Sequence, residues 1–320
     1  MNEKAPSKSG GRVAVVGAGL GGLSAAASLA AAGYAVTLFE KNPQLGGKLN
    51  VLERDGFSFD LGPSIMTLPQ IFRDLFARAG KRFDDYVALR PVSPHWRNFF
   101  EDGKIIDLDP DHDRMRAELA KLGPNLEAPF RDFLAYSRQQ YDAVERGYFR
   151  EGIDTLGALL RHYGWSVFEL DFLNTMHRAV QRRLPERHLR DIFDFFIKYV
   201  GSSAVRAPAF MNLMPHIQFG FGLWYIDGGM YALARGLERL LGELGVDIRL
   251  NCEVTEIVKQ GGTVAGVRAG GAFHAADWVV CNMEVVPAYR HLLDMPPAAL
   301  RRLIAARLSE HARRKEWSAL

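Results

Sequence analysis

Two cysteines in 320 residues, Cys252 and Cys281, are too few and too far apart for a disulfide framework or a zinc site. They are expected to be buried, inert thiols. The nine histidines form no H-E-x-x-H arrangement or comparable cluster, so no metal centre is expected. Charge excess is also missing: 40 Lys and Arg stand against 37 Asp and Glu, a formal +3. With no RNA or DNA motif in view, nucleic acid is not an expected partner. Residues 1–11, MNEKAPSKSGG, lack the apolar core of a secretory signal, which points to the cytoplasmic side. Ala207–Ile226 carries no charge across 20 residues, but two prolines, two glycines, Asn212, Gln218 and His216 argue against a lipid-spanning helix. A wall of an apolar cavity is the preferred reading. An interfacial surface and a buried domain joint are the alternatives.

What is present is the composition of a folded protein, 48% hydrophobic and 24% charged, long enough for two domains. Its most specific stretch runs from Arg12 to Leu49. Val13–Val16 reads as a short strand, and Gly17, Gly19 and Gly22 follow in G-x-G-x-x-G spacing. Leu23–Ala32 reads as an alanine-rich helix stopped by Gly33, and Tyr34–Phe39 as a second strand closed by Glu40. Gly17 permits the tight turn, Gly19 lets the backbone approach a pyrophosphate, and Gly22 brings the helix close to the sheet. Glu40, 18 residues beyond Gly22, is placed to accept from a ribose 2′-hydroxyl. An acid there repels a 2′-phosphate, so NADP is disfavoured while NAD and FAD both stay open.

Further along, Leu52–Leu61 reads as a hairpin turning at Asp55-Gly56, broken by Gly62-Pro63. Leu68–Ala79 reads as a helix with Ile71, Phe72, Leu75 and Phe76 as its apolar positions. Trp96–Phe100 and Lys104–Leu108 read as another hairpin. From about Asp111 to His188 helical spacing dominates, including the segment Leu156–Gly164. Pro185 marks a helix start, with Ile192, Phe195, Phe196 and Tyr199 on one face. α/β character then resumes: a helix to Leu244 and strands at Val246–Leu250, Glu253–Lys259, Val264–Arg268 and Ala276–Cys281. The expected organisation is a dinucleotide domain in two parts, 1–110 and 225–300, around a mostly helical section 111–224. A charged helix or tail, 301–320, ends the chain.

These segments together resemble the phytoene desaturase family of FAD-dependent carotenoid desaturases, within the amine-oxidase-like flavoproteins. The resemblance rests on the glycine turn, Phe39-Glu40-Lys41, Gly46-Gly47-Lys48 and Phe57–Pro63. It extends to Gly222–Tyr225 leading into Gly228-Gly229-Met230, Asn251–Ile257 and Ala276–Leu293. It implies an α/β Rossmann-like FAD-binding domain of the amine-oxidase type with an inserted, largely helical substrate section. It also implies that Gly17, Ala18, Gly19, Leu20 and Gly22 hold the pyrophosphate turn, and that Glu40 and Lys41 lie at the ribose. Gly46, Gly47 and Lys48 would pass close to the cofactor, Gly62 and Pro63 near the flavin, and Val254 on the adenine side. Lys48 departs from the arginine usual there, keeping the charge but losing the bidentate fork.

The activity implied is desaturation of a phytoene-like polyisoprenoid, with hydride passing to flavin N5 and peripheral membrane contact. No side chain stands out as the catalytic residue. Asp60 and His216 are conceivable participants, more readily explained as a structural acid and a tunnel histidine. The chain is shorter than its family, without the glycine-rich segment expected near the flavin: either it is a shortened or fragmentary chain, or a separate polypeptide, as a further partner, supplies the remainder. Three readings therefore stay open: a carotenoid desaturase, a related amine oxidase or carotenoid isomerase, and a shortened non-catalytic FAD-binding paralogue.

Overall fold

The computed structural model describes residues 10–146 and 169–307, and the chain divides into two compact units. The first takes in Met1–Met66, Gln70–Arg90 and Tyr225–Leu320, and the second Thr67–Pro69 and Pro91–Trp224.

In the first unit, Arg12–Val16 forms β1, Leu20–Ala31 forms α1 and Ala35–Phe39 forms β2. Val13 through Val16 are all buried, as a parallel strand covered on both faces requires. The helix begins earlier than its alanine-rich pattern suggests. Gly19 takes an extended N-cap conformation, and Leu23 N donates to Gly19 O at 2.9 Å, so the glycine motif itself supplies the first turn. Gly17 turns the chain at φ 89°, a region that disfavours any residue with a side chain. A Cβ at Gly22 would overlap the Gly17 carbonyl oxygen, so this helix meets the turn at backbone contact.

The hairpin of β3 (Val51–Arg54) and β4 (Phe57–Asp60) turns at Asp55 and Gly56, both at positive φ. Helix α2 (Pro69–Arg78) buries Leu75 and Phe76 but leaves Ile71 exposed. Helix α3 (Tyr231–Glu243) packs on α1. After it come β5 (Asp247–Arg249), β6 (Val254–Gln260), β7 (Thr263–Ala269), β8 (Ala272–Ala275) and β9 (Trp278–Cys281). Strand β8 escapes the sequence reading because Ala272–Ala275 is too short to show a period. The turn at Gly270-Gly271 nevertheless folds it back onto β7.

Four parallel strands pair in the order β9-β1-β2-β5, with Val13 opposite both Trp278 and Val36. An antiparallel sheet of β6, β7 and β8 covers one face, where Ala14, Val16 and Phe39 pack with Ile257, Val267 and Ala269. Cys252 and Cys281 are free, but they are half-buried rather than buried.

The second unit centres on the helix Glu127–Val144, whose Phe130, Phe133 and Tyr136 enter a core with Met176, Val180, Leu189 and Phe193. The uncharged stretch folds into the 3₁₀ turn Ala209–Leu213 and the helix Met214–Phe221, both packed on that central helix. Ser137 donates to Asn212 O at 2.5 Å and accepts from His216 N at 2.8 Å. Among the described residues no helix is long and apolar enough to cross a membrane. The helix after Pro185 starts at Arg187, because Glu186 takes the N-cap and accepts from Leu189 N at 2.9 Å. Its buried stripe is Leu189, Ile192, Phe193 and Phe196. Phe195 and Tyr199 remain exposed as the chain tightens into a 3₁₀ helix at Phe196–Val200. Leu156–Gly164 lies outside the described residues. The closing helix is described over Pro297–Arg307, and residues 308–320 lie outside.

At the end of α3, Glu243 accepts from Lys81 Nζ and Tyr86 Oη, each at 2.6 Å, and from Arg239 Nε at 3.2 Å. The Lys81 bond first, then that of Tyr86, holds the Glu243 carboxyl down to about 2. A lowered carboxyl stabilises the fold fully above its ordinary value and loses that contribution as pH falls toward the folded value. An NMR titration is expected to show Glu243 ionised at pH ~3 in the wild type, with its midpoint returning toward the ordinary glutamate range in Lys81→Met.

Candidate functional site

The carboxyl ends of β1 and β2 open into a cleft of about 900 Å³ in the first unit, toward the upper end of the roughly 300–1,000 Å³ range of small-molecule sites. Gly17, Gly19, Leu20, Glu40, Lys41, Gly46, Gly47, Lys48, Pro63 and Val254 line it together. Segments as distant in sequence as 17 and 254 thus converge on one surface. This is the position at which open α/β sheets bind ligands, outside the strand ends where the strand order reverses about β1.

Three of the thirteen expected residues stand behind the lining rather than in it. Ala18 is fully buried and donates its N–H to Glu40 Oε2 at 2.7 Å. Gly22 meets the Gly17 carbonyl, and Gly62 lies against the Lys48 carbonyl in the same way. Their small size shapes the turn and the strap; none of them lines the cleft.

Glu40 is only 5% exposed. Its Oε1 accepts from Asn42 N at 2.9 Å and Asn42 Nδ2 at 2.7 Å, while Oε2 accepts, among the described residues, only from Ala18 N. One acceptor position on Oε2 is left, enough for a single incoming hydroxyl. Gly46 N donates to Ala18 O at 2.8 Å, drawing the Gly46–Leu49 strap beside Gly19 in a parallel bridge. A Cβ at Gly47 would come within 2.9 Å of Gly19 Cα, so any side chain there would crowd the cradle. Helix α1 has no side-chain cap and no acid in its first turn, which leaves its first N–H groups for an anion. These features fit a dinucleotide diphosphate and ribose.

Asp60 serves the fold: its Oδ1 accepts from Met230 N at 3.1 Å and holds the start of α3. His216, in the second unit, packs against the rings of Tyr141 and Phe221, and burial lowers its pKa below the ordinary histidine value. The sequence reading missed Cys252, Asn282, Glu284 and His291, which also line the cleft. Asn282 immediately follows a strand legible in the sequence, but that strand's pairing with β1, which brings Asn282 to the cleft, is not.

A parallel sheet, a glycine turn entering a helix and an acid at the end of the second strand define a Rossmann-type fold. The chain belongs to the flavin containing amine oxidoreductase family, whose description matches residues 20–310, as a carotenoid-desaturase-like member. It is 52% identical over 295 residues to the 4,4'-diapolycopene oxygenase of Methylomonas sp, covering 91% of this chain and 59% of that one. It is 40% identical to the 4,4'-diaponeurosporene oxygenase of Staphylococcus aureus, with the same coverage. An oxidoreductase from Methanosarcina mazei shares the fold at a TM-score of 0.60 and 19% identity, over 92% of this chain and 65% of its own. The chain therefore spans about 59% of the length of these curated relatives.

Removing the Glu40 carboxylate leaves the buried Ala18 N–H without its acceptor. Glu40→Ala is expected to lower the unfolding free energy by about 2 kcal/mol in urea denaturation. Lys41→Ala, at an exposed position, should change it by less than ~0.5 kcal/mol.

Proposed function

We propose that the cleft binds FAD and that the chain is the flavin-holding part of an oxidoreductase acting on linear carotenoids. The observation that carries this reading is the convergence of the glycine turn, Glu40 and the Gly46–Gly47 strap on one cleft. Backbone N–H groups of Gly19 and Leu20 would meet the diphosphate, with Lys48 and Lys41 adding exposed positive charge. Glu40 Oε2 would take one ribose hydroxyl, Val254 would flank the adenine, and Pro63 with Gly62 behind it would border the flavin. Ala18 and Gly22 would fix the turn from behind. We assign flavin binding to the first unit and the substrate section to Pro91–Trp224, which takes in the 91–110 stretch first expected in the flavin part, with 301–320 as a closing tail.

Bound FAD supplies a two-electron acceptor suited to taking hydride from an allylic carbon. The chain's part is to orient the cofactor and keep water from it. No residue is assigned as a proton acceptor. The two relatives, named 4,4'-diapolycopene oxygenase and 4,4'-diaponeurosporene oxygenase, support a carotenoid substrate and favour its oxygenation. The desaturase motifs support a second reading, removal of hydrogens along the chain. Peripheral contact with a lipid surface on the cytoplasmic side is carried by the family resemblance, and exposed Phe99 and Leu173 are apolar positions of the second unit that such a contact would cover. Strand β9 pairs with β1 on one side and with no other strand among the described residues, which supports a further strand joining there, from this or a separate polypeptide.

The purified chain is expected to take up FAD and show the two-banded spectrum of protein-bound oxidised flavin. Failure to bind FAD below ~1 mM would sink the reading. Incubation with a linear carotene then separates the chemistries. Anaerobic flavin bleaching with longer conjugation marks desaturation, and incorporation of labelled dioxygen marks oxygenation. Bound flavin with neither outcome marks a section that holds cofactor without turnover.

A further inference from the structure

Asn282, the first residue beyond β9, is fixed by its backbone: its N–H donates to Val16 O at 2.8 Å, beside the end of β1. From there its side chain lies across the glycine turn. Nδ2 sits 3.0 Å from where a Cβ at Gly19 would stand, and Oδ1 sits 2.6 Å from the corresponding point at Gly21. Gly21 is outside the G-x-G-x-x-G spacing, and Asn282 explains why that position is bare. The amide is exposed, lines the cleft, and has no hydrogen-bond partner among the described residues. Beneath it lies the uncapped start of α1.

A side-chain amide offers two N–H donors, and the other groups flanking an anion at this turn are backbone N–H and, at the rim, the exposed amines of Lys41 and Lys48. We propose that Asn282 is a positioning residue for the diphosphate of the bound dinucleotide, with Nδ2 donating to a phosphate oxygen beside the uncapped start of α1. The Oδ1 end lies over Gly21, where a side chain at that position would stand. The assignment rests on the flavin reading of the cleft. It makes the site's grip on phosphate depend on one side chain as well as on backbone.

The test is calorimetric titration of the whole chain with FAD, ADP and adenosine, for the wild type, Asn282→Asp and Asn282→Ala, with ligand-free melting of each. Asn282→Asp keeps the size but replaces the donor with a carboxylate. It is expected to weaken FAD and ADP by about tenfold or more while leaving adenosine unchanged. Asn282→Ala should weaken the same two ligands to a smaller extent. Equal ADP affinity in wild type and Asn282→Asp would overturn the role of Asn282 and leave the flavin reading intact. An equal loss for adenosine, or a lowered ligand-free melting temperature in both variants, would reduce Asn282 to a packing residue of the turn. A wild type that binds neither FAD nor ADP overturns the flavin reading and this assignment with it.

Discussion

The buried carboxylate of Glu40 is the junction on which the cleft depends. Its side chain holds the glycine turn through Ala18 and the loop after β2 through Asn42. Its backbone reaches the other half of the unit, donating to Arg249 O at 2.9 Å and accepting from Cys252 N at 2.8 Å. Two segments far apart in sequence, at Ala18 and at Arg249–Cys252, are therefore tied to the loop after β2 by one residue whose polar atoms are almost all engaged. A buried carboxylate without partners would be costly. Here three donors offset that cost and leave one acceptor position facing the cleft.

The parts legible in the sequence were those whose signal is local. The β1–α1–β2 unit and the Asp55-Gly56 hairpin follow from glycines at fixed offsets and from apolar runs, and both stand in the structure. The family likewise followed from motifs, because each motif is a short backbone device repeated wherever the same cofactor geometry is needed. What stayed hidden depended on side-chain capture at a distance or on a run too short to show a period. Glu186 displaced a helix start that Pro185 had suggested. Strand β8 declared itself only through its pairing with β7. The uncharged stretch Ala207–Ile226 looked like a cavity wall, yet Ala209, Asn212, Leu213 and Gln218 are core, and packing of that kind has no one-dimensional trace.

Within the cleft the same division holds between spacing and partnership. Ala18, Gly22 and Gly62 were named with the lining because motif residues are adjacent in sequence, whereas adjacency along a tight turn alternates between facing the cleft and facing the core. Asn282 was missed for the opposite reason. It lies far from the motif in sequence and is brought to it only because β9 pairs in parallel with β1, in register from Val13–Trp278 to Val16–Cys281. A parallel pair delivers both strand ends to the same edge of the sheet, so the residue after one strand must lie beside the residue after the other.

That geometry also bears on Lys48, where the family resemblance leads one to expect arginine. An exposed cation at the cleft mouth contributes only about 0–1 kcal/mol to holding an anion, and salt screens it further. The uncapped N–H groups of α1 are fixed by the helix, need no side-chain ordering, and act where solvent is partly excluded. A diphosphate held mainly by backbone tolerates the loss of a guanidinium fork at the rim. It does not tolerate a Cβ at Gly47, whose place is already within van der Waals overlap of Gly19. The strict positions of this cleft are thus the bare ones and the buried Glu40, whereas the exposed cations at its rim are freer to vary.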